Sequence, residues 1–425
     1  FTATLTQGVR GGEDLMSTSR GWPACGVFYQ QRLWLGGFRS APNAILASDT
    51  GAPYSFNIES EAADTAILFY LDSNELNEVR ELHAGRHLTA FSATSEWWLD
   101  GRVLAKGEPM AWVLASRRGV QHSLPAVELD GSLLFVQRGG QGVREFVYTE
   151  SDLSYRSDSV SLLASHLIRS PVAVGVRRIN VAEQSDLYLL VQNDGSLSVF
   201  ASTRSQDVAG WTPWVTSGGA FRAVGDEDEP LVIVDRSIFV GNSVESERRI
   251  ERLERGCFTD GAVFRSVSGL NKVTGLEIFE GATVDVLLNG AWHHRATVAS
   301  AQITLPGPVT GTLEIGRPVL SEVRLMPWRP DTPQGAPLAR KFRLRHVSAD
   351  LGGSRHVEVQ VNAGARFEVP ARFSGDPPDA LAGRFDWPVR MSGFSGYHHS
   401  VDLAFLQARS GRFEVLGVAL EGEAA

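Results

Sequence analysis

The sequence predicts an all-β chain, with a β-propeller-like domain followed by smaller β-sandwich or barrel regions. Three observations lead there. The 425 residues include 43 Gly and 19 Pro spread along the whole chain, and dispersed turn formers between short apolar runs mean many tight turns. Five short apolar segments of similar make-up recur, at 32–36 (RLWLG), 87–91 (HLTAF), 132–136 (SLLFV), 186–190 (DLYLL) and 237–241 (SIFVG). Their Leu or Ile after the polar lead stands at 33, 88, 133, 187 and 238, giving intervals of 55, 45, 54 and 51 residues. A period of this length with a few strands in each is a propeller signature, although no consensus survives and unrelated hairpins would leave a similar pattern. Finally, helical periodicity is scarce.

Taken in order, Val27 to Tyr29 and Leu33 to Leu35 are aromatic or branched strand formers, with Gly36-Gly37 closing the second run. Thr50-Gly51-Ala52-Pro53 is a turn. Glu96-Trp97-Trp98-Leu99 continues the second unit and Asp100-Gly101 ends it. In the third, Asp130-Gly131 opens a strand whose neighbour is Arg144 to Tyr148. In the fourth, Asn193-Asp194-Gly195 marks a hairpin. The best helix candidate is 157–168 (SDSVSLLASHLI), where Asp158 or Ser159 offers an N-cap and Leu162, Leu163, His166 and Leu167 recur at helical spacing. After Arg255 the texture changes to short strands, with Asn289-Gly290 between alternating runs as the strongest hairpin cue. Four prolines within 326–337 (Pro327, Pro330, Pro333 and Pro337) make a stiff connector. The expected organisation is a propeller-like domain over 1–255, a small barrel or sandwich over 256–326, a Pro-rich linker over 327–337 and a C-terminal β region over 338–425.

Composition bounds the function. A hydrophobic fraction of 43% with 21% charged residues belongs to a folded chain. The net charge of −9 argues against a sequence-specific DNA binder, which is usually basic. An acidic wall still suits DNA that must slide past without sticking, because it offers no counterion-release affinity. Cys25 and Cys257 are too few for a disulfide scaffold; each reads as a small buried apolar residue, and a single bridge between them stays open. No apolar run approaches the ~20 residues that cross a bilayer as a helix. The chain starts at Phe1 without Met or a charged-then-apolar leader, so it does not read as a secretory precursor. It reads as a piece lacking an N-terminal part.

No motif is diagnostic of catalysis. His83 and His87 stand four apart, but Ala84 replaces the glutamate of a zincin and Gly85 weakens a helix, so both read as surface histidines. The pairs His293-His294 and His398-His399 should point to opposite faces in strands. No metal or cofactor is expected. Residues 47–54 partly match the Asp-box turn of sialidase-type propellers, with Asp49 as side-chain acceptor and Gly51 at positive φ. That motif is structural. Gly139-Gly140-Gln141-Gly142 reads as a hairpin tip, since no Lys-Ser/Thr follows. The densest acidic run is Asp226-Glu227-Asp228-Glu229. It is a solvated loop, or else a negative rim facing DNA or a weak divalent-ion site. Arg248 to Arg255 alternates in sign and suits a strand edge or a subunit contact.

The stretch 21–56, GWPACGVFYQQRLWLGGFRSAPNAILASDTGAPYSF, resembles the opening of the β-propeller in tail nozzle (tail tubular protein B-like) proteins of short-tailed bacteriophages. Further similar segments are 119–126, 131–140, 143–148, 194–197, 206–211, 249–253 and 269–290. The likeness covers most of residues 21–320 and is thinner beyond. The chain departs from the family's pattern in lacking its preceding N-terminal region and in carrying the His293-His294 pair. The resemblance implies a structural virion protein, not an enzyme, that forms the distal ring of a short tail. It implies a homo-oligomer, a hexameric ring in the family's manner, with an adaptor ring above, tail fibres at the side and double-stranded DNA passing along the axis. It places the chain in the virion, assembled in the host cytoplasm. Asp226, Glu227, Asp228 and Glu229 are then the first candidates to line the channel. The competing reading is a carbohydrate-binding or glycan-hydrolysing propeller, with Trp97, Trp98, Trp211 and Trp214 stacking on sugar.

Overall fold

The computed structural model describes residues 15–75, 77–101, 103–178, 185–206, 208–240, 243–328, 341–362, 364–370, 385, 388–394 and 396–424. It is an all-β protein, propeller-like in its first part. Two compact units are present: Phe1–Val215 with Ala220–Asp235 and Arg249–Leu253, and Thr216–Gly219 with Arg236–Arg248 and Glu254–Ala425.

In the first unit, four antiparallel sheets follow one another, each made of four strands in sequence order. The first holds β1 (Cys25–Tyr29), β2 (Arg32–Gly36), β3 (Ala44–Ala47) and β4 (Ile67–Tyr70). The second holds β5 (Val79–Ala84), β6 (Leu88–Ser92), β7 (Glu96–Asp100) and β8 (Ala111–Ser116). Next come β9 (Val127–Leu129), β10 (Ser132–Val136), β11 (Val143–Thr149) and β12 (Ser154–Ser159). The fourth holds β13 (Ala173–Arg177), β14 (Asp186–Val191), β15 (Leu197–Thr203) and β16 (Val208–Trp214). A three-stranded sheet closes the series, with β17 (Gly219–Val224), β18 (Leu231–Val240) and β19 (Ser243–Arg252) in that order.

The five recurring apolar segments are the second strands of these five sheets: β2, β6, β10, β14 and β18. Physics explains why they recur. Successive side chains of a strand leave on opposite faces, and in β6, β10 and β14 both faces meet a neighbouring sheet. In β6, Leu88 and Ala90 enter the core shared with the first sheet, while Phe91 enters the core shared with the third. In β10, Leu133 and Phe135 face the second sheet, and Leu134 and Val136 face the fourth. In β14, Tyr188 and Leu190 face the third sheet while Leu189 and Val191 pack with Phe221, Val232 and Val234. A strand buried on both faces loses the apolar–polar alternation and reads as a continuous apolar run.

Turns follow the sequence cues. Asp130-Gly131 (φ 47° and 75°) joins β9 to β10, the paired left-handed conformation of a two-residue hairpin turn. Gln30-Gln31 adopts the same conformation (φ 46° and 60°) between β1 and β2, with no Gly or Asn to announce it. The expected helix at 157–168 does not form. Its first residues complete β12, and Leu162–Leu167 makes only 3-10 turns, broken by non-helical dihedrals at Ala164. Leu162 and Leu163 are exposed at 74% and 95%, so the apolar stripe has no surface to pack on, which is what stabilises a short helix.

Two cations fasten the long connection between β3 and β4 by its backbone. Fully buried Arg32 donates to the carbonyl oxygens of Ser48 (2.6 Å), Thr65 (2.7 Å) and Ala63 (3.2 Å). Lys106 Nζ donates to those of Ile58 (2.9 Å) and Ser60 (2.6 Å).

The second unit contains the sheet β20-β23-β21-β22, built from β20 (Asp260–Thr274), β21 (Thr283–Leu288), β22 (Ala291–Thr297) and β23 (Gln302–Arg317). The Asn289-Gly290 turn forms between β21 and β22 (φ 50° and 76°). Then come β24 (Ser321–Arg324), β25 (Phe342–Asp350), β26 (Glu358–Val361), β27 (Arg366–Glu368), β28 (Val389–Ser392), β29 (Leu403–Gln407) and β30 (Gly417–Ala424). They form the sheets β24-β29-β26-β27 and β28-β25-β30 around a shared core that includes Phe342, Val347, Val359, Phe385 and Phe405. Most of the expected linker, from 329 onward, lies outside the described residues.

Two substitutions test this architecture. Phe135 is fully buried between two sheets, and Phe135→Ala should cost about 3–5 kcal/mol, read as an earlier denaturant midpoint for the first unit. Gly119 has φ +71°, and a Cβ there would lie 2.2 Å from the Ala93 carbonyl oxygen. Gly119→Ala should therefore destabilise by more than the ~1 kcal/mol that a left-handed residue alone costs, seen in the same melt.

Candidate functional site

The strongest concentration of perturbed side chains in the first unit lies on the first strands of its sheets. Neighbouring contacts link β1 with β5 and β9 with β13. Between β5 and β9 the link is made by side chains: the Ala126 N–H donates to Glu81 Oε2 at 2.7 Å, and His83 Nε2 lies 3.9 Å from Glu128 Oε2. Glu81 follows a register irregularity after Val79, and bulges re-aim side chains in this way.

Electrostatics mark this group. Burial raises the Glu81 carboxyl from its ordinary 4.5 to about 7, with the Ala126 N–H pulling in the opposite direction. Burial, then Glu81, pushes the Cys25 thiol up to about 12. The fully buried Tyr188 phenol is raised by burial and next by Glu81, and its hydroxyl has no hydrogen-bond partner. His83 is held below its ordinary value by burial, against the opposing pull of Glu128. Glu81 and His83 stand two apart on β5 and each has its own partner, the Ala126 N–H for Glu81 and the Glu128 carboxylate for His83; a raised carboxyl of this kind marks a candidate for proton transfer.

The residues expected from sequence fall elsewhere. Asp226, Glu227 and Asp228 are exposed and Glu229 half-buried, on the loop between β17 and β18. Asp226 accepts the Val176 N–H and lies 3.9 Å from Arg178; Arg252 lies 3.5 Å from Glu229. Arg177 Nε donates to the Asp228 carbonyl at 3.1 Å. Cations thus meet the Asp226 and Glu229 carboxylates.

Several readings need correction. The four tryptophans offered for sugar stacking are packing residues. Trp97 and Trp98 are 4% and 6% exposed, Trp211 lies against Phe200 with its Nε1 donating to Val160 O, and Trp214 packs with the β14–β15 core. His87 is no surface histidine. Its ring sits 5.0 Å from those of Trp98 and Tyr148, and burial followed by Arg86 depresses its pKa. His293 and His294 do not diverge, because a bulge opposite Val286 and Leu287 brings their Nδ1 atoms to 3.0 Å. Cys25 and Cys257 are both free thiols. Gly51 has the positive φ (70°) expected of the Asp-box-like turn. Glu81 escaped sequence reading because its neighbours come from strands roughly 45 and 107 residues away, and only the first-strand position inside a repeat hints at it.

No protein-family model matches the chain, and no curated protein matches it. Among solved structures it is similar to the exo-β-1,3-galactanase of Phanerochaete chrysosporium with galactose, at 9% identity over 95% of this chain and 96% of that one, with a TM-score of 0.28. A variant of that enzyme with β-1,3-galactotriose gives 10% identity, 96% and 98% coverage and a TM-score of 0.27. These structures are of an enzyme, and the expectation that this chain is not one is withdrawn against them. At such TM-scores the likeness transfers neither residues nor substrate.

The Glu81 shift has a measurable consequence. A carboxyl raised in the folded state binds its proton more tightly than in the unfolded chain, so its contribution is fully present below about pH 4.5 and is lost as pH rises through about 7. Glu81→Gln should remove this slope, on the order of 3 kcal/mol between pH 4 and pH 8. Parallel denaturant titrations of both proteins across that range measure it.

Proposed function

We propose that the chain is a structural subunit of the tail nozzle of a short-tailed phage, acting as one copy in a ring through which double-stranded DNA leaves the particle. The observation that carries this reading is the pair of long edge strands that bear exposed apolar side chains. β19 and β20 are edge strands of 10 and 15 residues, with Val244 (60%), Ile250 (72%), Phe264 (45%) and Leu270 (49%) exposed along them. Long edges with apolar side chains are templates for another chain. Copies arranged around an axis cover such edges without leaving an open end. The resemblance over residues 21–320 supports the same reading, and those residues include the five stacked sheets.

On this reading the ring is sixfold, an adaptor ring and tail fibres are its neighbours, and the protein resides in the virion after assembly in the host cytoplasm. Asp226, Glu227, Asp228 and Glu229 line the channel on this reading, where an acidic wall offers passing DNA no counterion-release affinity. Sizing with light scattering should give a multiple of 46.2 kDa, and negative-stain images should show closed rings. The double variant Ile250→Glu, Phe264→Glu should run at 46.2 kDa with an unchanged melting profile. A wild-type chain that stays monomeric at every concentration would oppose the ring.

One observation favours a second reading, a carbohydrate-processing propeller: the Glu81 carboxyl, raised by burial to about 7, on the same strand as the His83 that pairs with Glu128. Incubation with a panel of oligosaccharides of differing sugars and linkages, followed by sugar analysis, distinguishes the two. Release of a sugar from any of them, abolished in Glu81→Gln, would establish this second role; intact oligosaccharides beside wild-type rings would leave the first.

A further inference from the structure

The adjacent histidines 293 and 294 belong to neither functional reading. They lie on β22, an edge strand of the sheet β20-β23-β21-β22. On β21, Val286 pairs with His294 and the next residue, Leu287, pairs with Trp292. His293 is therefore the extra residue of a β-bulge. Neighbours in a regular strand leave on opposite faces and cannot share a ligand; the bulge lifts that objection by re-aiming a ring.

The two rings meet through their Nδ1 atoms at 3.0 Å, with planes 81° apart. Both residues are half-buried. A hydrogen bond of this kind holds one proton between two nitrogens, so one of them presents a lone pair. Burial lowers the pKa of both imidazoles, and for His294 the neighbouring His293 lowers it further. The neutral ring is the form that ligates metals, so protons compete little near pH 7. Nε2 of His294 is buried and makes no hydrogen bond, and the Thr304 main-chain carbonyl favours a proton on that ring. The tautomer that carries its proton on Nε2 and frees Nδ1 suits these surroundings.

The strand is held firmly beside the pair. Arg295 Nε and Nη2 donate to Asp285 at 2.7 and 3.0 Å, and Nη2 also donates to the Ala408 carbonyl at 2.8 Å. Asp285 accepts as well from the Ser410 N–H (3.1 Å) and hydroxyl (2.8 Å), so its carboxylate is fully engaged. Among the described residues no set of three His, Cys, Asp or Glu side chains gathers for an ion. Water then completes the shell of any ion held here.

Distance selects the ion. A metal roughly 2.0–2.1 Å from each of two imidazole nitrogens that stand 3.0 Å apart sees them separated by about 90°. That is the angle between neighbouring ligands in a tetragonal field and well below the tetrahedral one. Tetragonal nitrogen and oxygen sites belong to Cu(II) and Ni(II), with copper bound more tightly. Calcium and magnesium take oxygen ligands.

We infer that His293 and His294 form a two-imidazole site for a divalent transition-metal ion of tetragonal geometry, Cu(II) ahead of Ni(II), bound through both Nδ1 atoms. The ion takes the place of the shared proton. That proton passes to Nε2 of its own ring, so both rings stay neutral and each Nδ1 lone pair bonds to the metal. The site involves neither Glu81 nor the exposed edges of β19 and β20.

The test titrates the chelator-treated full chain with Cu(II), Ni(II) and Mg(II) by calorimetry. Pulsed electron paramagnetic resonance of the copper-loaded chain counts the coordinated imidazoles. Wild type should bind Cu(II) saturably through two imidazoles, Ni(II) more weakly and Mg(II) not at all. Losing an outer partner of a metal ligand already costs about 10–100-fold, so His293→Gln and His294→Gln should each weaken copper by about tenfold or more. His399→Gln, in the other adjacent pair, should bind as wild type. Copper held equally well by both variants, the mark of adventitious binding at other histidines, would overturn the inference. So would the absence of saturable copper binding, or a copper spectrum with one imidazole or none. The last readout needs only the wild-type chain, so it decides the matter even where a variant fails to fold.

Discussion

Everything in the first unit depends on one requirement: the second strand of each sheet must find an apolar neighbour on both of its faces. Phe91 and Leu88 leave the same strand in opposite directions and enter different cores. Leu134 and Leu133 do the same one sheet further on. The second, third and fourth sheets therefore cannot be completed alone; each supplies half of two cores. Burial of this kind, at roughly 25 cal/mol per Å² of apolar area, is cooperative between neighbours and weakest at the ends of the series. The first sheet meets this end problem with its own loops, which pack Phe38 and Phe56 against its free side.

Polar groups in the interior are handled in two contrasting ways. Asp285 has a cation and two donors directed at it, and its pKa is lowered despite burial. Glu314 likewise accepts the Phe258 and Thr259 N–H groups at 2.6 and 2.7 Å. These carboxylates organise backbone. Glu81 has a single N–H and Tyr188 has none for its hydroxyl. The under-served groups are the informative ones, since folding alone does not account for them.

Much of the architecture was legible in the chain. A repeat of Leu or Ile at 33, 88, 133, 187 and 238 marks a strand that is special by position, and each such residue falls in the second strand of a sheet. Asn289-Gly290 and Asp130-Gly131 announce their turns through glycine at positive φ. Gln30-Gln31 and Ser300-Ala301 make equivalent turns silently, held by strand pairing and not by local preference. The stretch after Ser159 misled because a 3.6-residue apolar pattern is a statement about packing, and nothing packs against Leu162 or Leu163. Histidines 293 and 294 misled because one bulged residue reverses the facing of every side chain beyond it. The Glu81 surroundings were out of reach, since they gather residues from segments far apart in sequence.

The way Arg32 and Lys106 hold the connection between β3 and β4 has an evolutionary consequence. All five bonds go to main-chain carbonyl oxygens, with the Glu61 carboxylate 3.4 Å from Lys106 Nζ as a side-chain addition. Within 58–65, residues other than Ser60, Glu61 and Thr65, whose side chains also bond in this segment, can drift in identity while the path stays the same. A surface segment so tethered is free to diversify quickly, and the guanidinium at position 32 becomes the residue least open to exchange, because lysine lacks the planar fork that reaches three oxygens.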